Sequence, residues 1–181
     1  MLTLTSSFIE TLIFEKAMIR KHIIYLSGVL LFCLANINSY STILKVTNLN
    51  DAGAGSLRDN IAAATSGDTV LMDVSGAIAL SSPINITVPV FIMGAYPMHN
   101  RISGPTSGGG EAFIISGVNT DTVVINGFNI SDFGGINSAV VIINSIVRIG
   151  DCVFEDNIGT ANGQSIGVTG SSDVKVFNCS F

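Results

Sequence analysis

The chain has 181 residues, of which 48% are hydrophobic and only 12% charged, with 19 glycines and no tryptophan. That composition excludes a charge-rich disordered segment and lacks the Glu, Lys, Leu and Ala mixture of a helical bundle. The formal net charge is −5, and beyond Ser41 five basic residues face eleven acidic ones. So few cations leave no footprint for a phosphate backbone, and nucleic acid is not an expected partner.

The N-terminus reads as a targeting segment. Met18-Ile-Arg-Lys-His22 is a basic stretch, Ile23 to Ala35 is an apolar run, and Ser39-Tyr-Ser41 places small residues before a cut after Ser41. The run is too short for a spanning helix and has the flanks of a secretory signal, which sets it against the alternative of a membrane anchor. Translation from Met18 would give a signal of ordinary length, so residues 1–41 are read as an extension plus signal peptide. Cys33 and His22 would leave with it. Bulky Phe32 before Cys33 argues against a lipoprotein site.

Residues 42–75 are expected to form an N-terminal cap. Ser56-Leu-Arg-Asp59 has an N-cap residue followed three places on by an acid, and Leu57, Ile61 and Ala64 share a helical face. Gly67-Asp68 ends this helix. Leu57 and Ile61 would cover an apolar cross-section while Arg58 and Asp59 face water.

Residues 76–181 carry a repeat. Val123-Val-Ile-Asn-Gly-Phe-Asn-Ile130, Val147-Arg-Ile-Gly-Asp-Cys-Val-Phe154 and Val174-Lys-Val-Phe-Asn-Cys-Ser-Phe181 align without gaps, with starts 24 and 27 residues apart. Apolar residues occupy the first, third, sixth and eighth places. Steps of two make a strand with one face inward, and the step of three makes a corner. The fifth place holds Gly127, Asp151 and Asn178, residue types that tolerate the left-handed backbone of a sharp bend. A weaker copy fits at Val90, Ile92, Gly94 and Ala95. Each copy is strand, bend, strand, and cannot bury its apolar face alone; stacked coils can. An antiparallel sandwich would show turns every 8–12 residues and no in-register columns. The columns favour an all-β, right-handed parallel β-helix with a short N-terminal capping helix. The last strand ends at Phe181 without a cap, so the solenoid is expected to be incomplete there and to associate through an apolar edge.

The stretch from Lys45-Val-Thr-Asn-Leu-Asn-Asp-Ala-Gly-Ala-Gly-Ser-Leu-Arg-Asp-Asn-Ile-Ala-Ala-Ala64 through Gly67-Asp-Thr-Val70 resembles the opening of many bacterial secreted β-helix proteins of the pectate-lyase-like fold. Phe154-Glu-Asp-Asn-Ile158 resembles the repeat tails of polymorphic outer-membrane proteins and related adhesins. The resemblance covers residues 44–181. It implies a first strand and short helix capping the solenoid, export from a Gram-negative cell, and a place at the surface or outside. It does not imply one activity, since the fold carries adhesins, lyases and hydrolases.

Carboxylates would carry any lyase or hydrolase chemistry. Asp151, Glu155 and Asp156, with Arg148 on the same coil, are the densest acidic group. Gly127 and Asn178 at the places equivalent to Asp151 favour a bend over a catalytic or calcium role, and Asp121 and Asp132 read the same way. His99 stands alone in a loop, and Gly104-Pro-Thr-Ser-Gly-Gly-Gly110 lacks the Lys-Ser/Thr ending of a phosphate loop. Cys152 and Cys179 share an inward column at a spacing of about 4.8 Å, within disulfide reach, but parallel stacking favours free thiols. Asn126, Asn129, Asn144, Asn157 and Asn178 suit short ladders or turns. No catalytic, cofactor-binding or metal site is assigned. The expected role is adhesion or surface display, with extracellular glycans or cell-surface proteins as partners; the alternatives are a carbohydrate-active enzyme whose catalytic coils lie beyond residue 181, and a structural stalk.

Overall fold

The computed structural model describes residues 14–16, 18–23, 41–95, 99–104, 110–135, 138–159 and 165–181. The chain divides into two compact units, Met1–Tyr40 and Ser41–Phe181. In the first, residues 14–16 and 18–23 are helical, and the His22 ring lies 2.8 Å from the Met18 carbonyl oxygen. The apolar run after Ile23, Cys33 and Ser39-Tyr40 lie outside the described residues. No helix among the described residues is long and apolar enough to cross a membrane.

The second unit is the parallel β-helix that the columns predict, of about five turns. Its elements are β1 (Ile43–Val46), α1 (Leu57–Ala63), β2 (Thr69–Met72), β3 (Gly76–Ala79), β4 (Ile84–Ile86), β5 (Phe91–Gly94), β6 (Asn100–Ser103), β7 (Phe113–Ser116), β8 (Thr122–Asn126), β9 (Asn129–Ser131), β10 (Gly134–Gly135), β11 (Val140–Ile143), β12 (Ile146–Gly150), β13 (Val153–Glu155), β14 (Ile158–Gly159), β15 (Ile166–Thr169) and β16 (Asp173–Phe177). They stack into sheet A (β1-β2-β5-β8-β12-β16), sheet B (β3-β6-β9-β13), sheet C (β4-β7-β11-β15) and a small pair, β10-β14. Parallel strands need crossover connections, and here each crossover is the remainder of a coil.

The aligned copies are neighbours in space. Val147 pairs with Val123 and Val174, Ile149 with Ile125 and Val176, and Phe154 with Ile130. The third-place column runs on through Ile92, Val70 and Leu44 to the first strand. Val70, Ile92, Ile125 and Ile149 are fully buried, and each such side chain contributes about 1.5–3 kcal/mol of transfer free energy. All three predicted bend residues have left-handed backbone: Gly127 at φ 80°, Asp151 at 50° and Asn178 at 51°. The weaker copy is real as well. A Cβ at Gly94 would come within 2.1 Å of the Gly127 carbonyl oxygen, so the coils close up there only because both positions are glycine.

Two further corner columns recur that the aligned copies did not include. Asp132 (φ 62°) and Asp156 (φ 50°) turn the chain after sheet B, and Gly117 (φ 73°), Asn144 (φ 48°) and Gly170 (φ 65°) turn it between sheets C and A. All are residues that accept this conformation at low cost.

The capping helix also forms as predicted. Ser56 is its N-cap, with the hydroxyl accepting from the Asp59 N–H at 3.2 Å, and Leu57 and Ile61 are buried beneath it. Arg58 departs from expectation, because it does not simply face water. Its guanidinium donates to the Asp51 carboxylate (2.6 Å) and to the carbonyls of Ser82 (2.6 Å) and Pro83 (2.8 Å). The Asp51 carboxylate in turn accepts from the N–H and hydroxyl of Ser81. Arg58 therefore straps the cap onto the last backbone groups before β4, which a solvated side chain could not do. Asp68 ties the cap's far side: its carboxylate accepts from the N–H groups of Thr42 (2.7 Å) and Thr65 (2.8 Å) and from the Thr65 hydroxyl.

In the last coil of the given sequence the inward residues are less covered than in the coils before it. Val140, Ile142, Val147 and Ile149 are sealed, while their partners one coil on, Ile166, Val168, Val174 and Val176, are partly or largely exposed.

Candidate binding face

The outward side of sheet A is the broadest continuous surface the fold builds. Two columns run across all six strands. One reads Ile43, Thr69, Phe91, Val124, Arg148 and Lys175; the other reads Lys45, Leu71, Met93, Asn126, Gly150 and Phe177. Ile43, Phe91 and Phe177 are 61%, 41% and 46% exposed, and Leu71, Met93 and Val124 are half-buried. Half-solvated strands normally put polar residues outward, so an apolar strip here is a departure from need. Phe177 lies over Gly150, where any Cβ would meet its ring at about 2.2 Å. Three of the five basic residues beyond Ser41, Lys45, Arg148 and Lys175, also project from this face.

Of the two ion pairs on this face, Lys45–Asp73 is exposed and Arg148–Asp173 is half-buried on its arginine side. Lys45 Nζ is 3.4 Å from Asp73, and the Arg148 guanidinium is 3.0 Å from Asp173. Such pairs contribute little to stability, but they fix where the charge sits. On sheet C, Gly167 interrupts the outward Ile114–Val141 column and leaves a shallow depression of about 280 Å³. Glu111 is the acidic group on its rim.

The sequence-predicted acidic residues take structural positions. Asp151 sits at the first bend, where its carboxylate accepts from the side-chain amides of Asn126 (2.8 Å) and Asn178 (3.2 Å), one coil on either side. Glu155 accepts from Asn129 at 2.9 Å, and Asp156 is a second-corner residue. Asp132 pairs with Arg101 at 2.6 Å, and Asp121 accepts from the Thr122 N–H at the start of β8. Arg148 is engaged with Asp173 and not with Asp151. The asparagines do both things proposed for them. Asn126 and Asn178 form a ladder through Asp151, Asn144 is a turn, and buried Asn157 bonds the Phe133 N–H and the Ile130 carbonyl of the coil before it.

Cys152 and Cys179 are free thiols. Burial pushes the Cys152 thiol up to about 12, and its Sγ lies 3.1 Å from the Gly150 carbonyl oxygen. A thiol in that state is no nucleophile. His99 is exposed, with its carbonyl accepting from the Gly76 N–H; residues 96–98 and 105–109, including most of the glycine-rich loop, lie outside the described residues. Among the described residues no group of three or more His, Cys, Asp or Glu is placed to hold a metal ion. Comparison with known proteins finds no matching family model, curated protein or solved structure.

Proposed function

We propose that this is an exported β-helix protein of the bacterial cell surface or exterior, acting in adhesion or display through the outward face of sheet A. The observation that carries the reading is the outward apolar patch of Leu71, Phe91, Met93 and Val124, neighbours across β2, β5 and β8 of a six-stranded sheet, with Phe91 41% exposed. Contiguous exposed apolar surface on a rigid scaffold is the mark of an interaction site. The occupant is a protein surface. Sugar rings are gripped chiefly by Trp and Tyr, and this face has neither; a glycan is the other outcome to be tested. Export rests on the basic and apolar segment from Met18 to Ser41.

The enzyme reading has less behind it. Asp132, Asp151 and Glu155 are already bonded to neighbouring side chains, and Asp132, Asp151 and Asp156 occupy bends. A decisive experiment compares binding of the full chain and of a Phe91→Ser/Val124→Ser variant to whole cells and to immobilised polysaccharides. Loss of cell binding with an unchanged unfolding transition supports the proposal. Undiminished binding, or cleavage of a polysaccharide by the chain, overturns it. Fusing residues 18–41 to a reporter tests export separately.

A further inference from the structure

We propose that Cys152 and Cys179 form a redox couple, closing to a reversible disulfide that ties two successive coils together. The placement comes from the backbone register. The Ser180 N–H donates to the Cys152 carbonyl at 3.1 Å, and the Phe154 N–H donates to the Ser180 carbonyl at 2.9 Å. Ser180 therefore stands opposite Val153, and Cys179 stands opposite Cys152, with Cα atoms about 4.8 Å apart. That separation lies inside the range a disulfide spans. Both side chains belong to the same inward column, and they are the two cysteines beyond Ser41.

Strict parallel stacking favours free thiols, because the Cβ atoms then keep the Cα spacing and a disulfide holds them about 3.8 Å apart. Two features relax that constraint. Each cysteine follows a left-handed bend residue, Asp151 at φ 50° or Asn178 at φ 51°, and neither lies within a strand. The sulfurs are also not in equivalent surroundings. Each approaches the carbonyl oxygen two residues before it, Gly150 at 3.1 Å for Cys152 and Phe177 at 3.3 Å for Cys179. Cys179 Sγ comes in addition within 3.8 Å of the Ile149 carbonyl oxygen, so it leans toward the coil that holds Cys152. Rotation about χ1 releases these weak contacts and turns the two sulfurs toward one another.

The oxidant is a small-molecule disulfide. It accepts two electrons and both thiol protons and leaves as two thiols, while one bond forms between the Cys152 and Cys179 sulfurs. Burial keeps the Cys152 thiol protonated in the folded chain, so exchange proceeds while this coil is forming or open. The remaining misfit at Cβ has its own consequence. A strained bond is more easily reduced than a structural one, so the couple follows the surrounding balance of thiol and disulfide. Oxidised, it fixes β16 to β12 beneath the outward face that carries Arg148 and Lys175. Reduced, hydrogen bonds and packing alone join the two coils.

The test uses the full 181-residue chain with Cys33→Ser, unfolded in urea and refolded at several ratios of oxidised to reduced glutathione. Under oxidised glutathione both thiols should vanish together. Mass spectrometry should show the loss of two hydrogens per monomer and a peptide link between Cys152 and Cys179. The urea midpoint of that species should lie above that of a Cys179→Ser variant, and the difference should disappear on reduction. Cys152→Ala supplies a second single-thiol reference where Cys179→Ser folds poorly. Half-conversion should fall within the range that glutathione sets. Two free thiols at every ratio, glutathione adducts in place of the link, bonds between chains, or a bond that glutathione fails to reopen would overturn the proposal.

Discussion

The ring of Phe181 lies flat against that of Phe154, with centroids 5.1 Å apart and planes 3° from parallel. The eighth-place column of the repeat thus continues for one more step, but its last member is 73% exposed while Phe154 is 3% exposed. The two rings should differ sharply in worth. Phe154→Ala should cost about 3–5 kcal/mol, as for other buried phenylalanines. Phe181→Ala should cost about 1 kcal/mol, the scale of an aromatic pair. Urea unfolding of both variants checks this, and equal losses would contradict the burial pattern.

The bend column separates a structural role from a chemical one. Gly127→Ala should destabilise by about 2 kcal/mol or more, because φ is 80° and the new Cβ would meet the Gly94 carbonyl oxygen at 2.6 Å. Asp151→Asn should stay within about 1 kcal/mol of the parent, since asparagine accepts the same backbone. Asp151→Val should lose more than Asp151→Asn. Thermal unfolding of the three variants gives the ranking.

Acid should loosen the cap before the coils. The Asp68 carboxyl is held below its ordinary range by the Thr65 N–H, then by the Thr42 N–H and the Thr65 hydroxyl. A depressed folded-state pKa contributes stability that is present above the unfolded value and is lost as pH falls through the folded one. Stability should therefore decline below about pH 4. Asp68→Asn should be less stable at neutral pH and show a flatter profile between about pH 5 and 2. Denaturant midpoints measured across that range decide it.

Cys152 should be silent to thiol reagents at pH 8 in the folded protein, because burial first of all keeps its thiol protonated. Cys179, half-buried in the last coil, should react. Mass spectrometry after labelling, with and without denaturant, reads the two sites. Rapid labelling of Cys152 in the native state would mean that the last coil peels away.

The columns, the bends and the helix were legible because each rests on a local rule. Period-two apolar residues marked the inward faces, Gly127, Asp151 and Asn178 marked the corner, and Ser56 marked the helix start. Other features depend on coil length, which changes along the chain. Ile92 and Ile125 are register partners 33 residues apart, whereas Ile125 and Ile149 are separated by 24. Loops of unequal length hide the corner column at Gly117, Asn144 and Gly170 from a gapless alignment. The strap made by Arg58 was missed for a related reason, since its partners Ser82 and Pro83 lie a full coil away. The outward apolar face of sheet A is half visible in the sequence. Runs such as Phe91-Ile-Met93 and Val123-Val-Ile125 are apolar on both parities, and a period-two pattern marks only the inward one.

The order in which the cap and coils follow one another has a kinetic consequence. The capping helix α1 and β1 occupy the start of the solenoid, and within each sheet every strand after the first pairs with one that precedes it by a single turn. A chain emerging from a narrow pore would find at each moment a finished surface on which to lay the next turn. No segment need wait for a distant partner, so each coil closes a loop of only one turn, whatever its length. Refolding should accordingly start at the Leu57 end and advance toward Phe181.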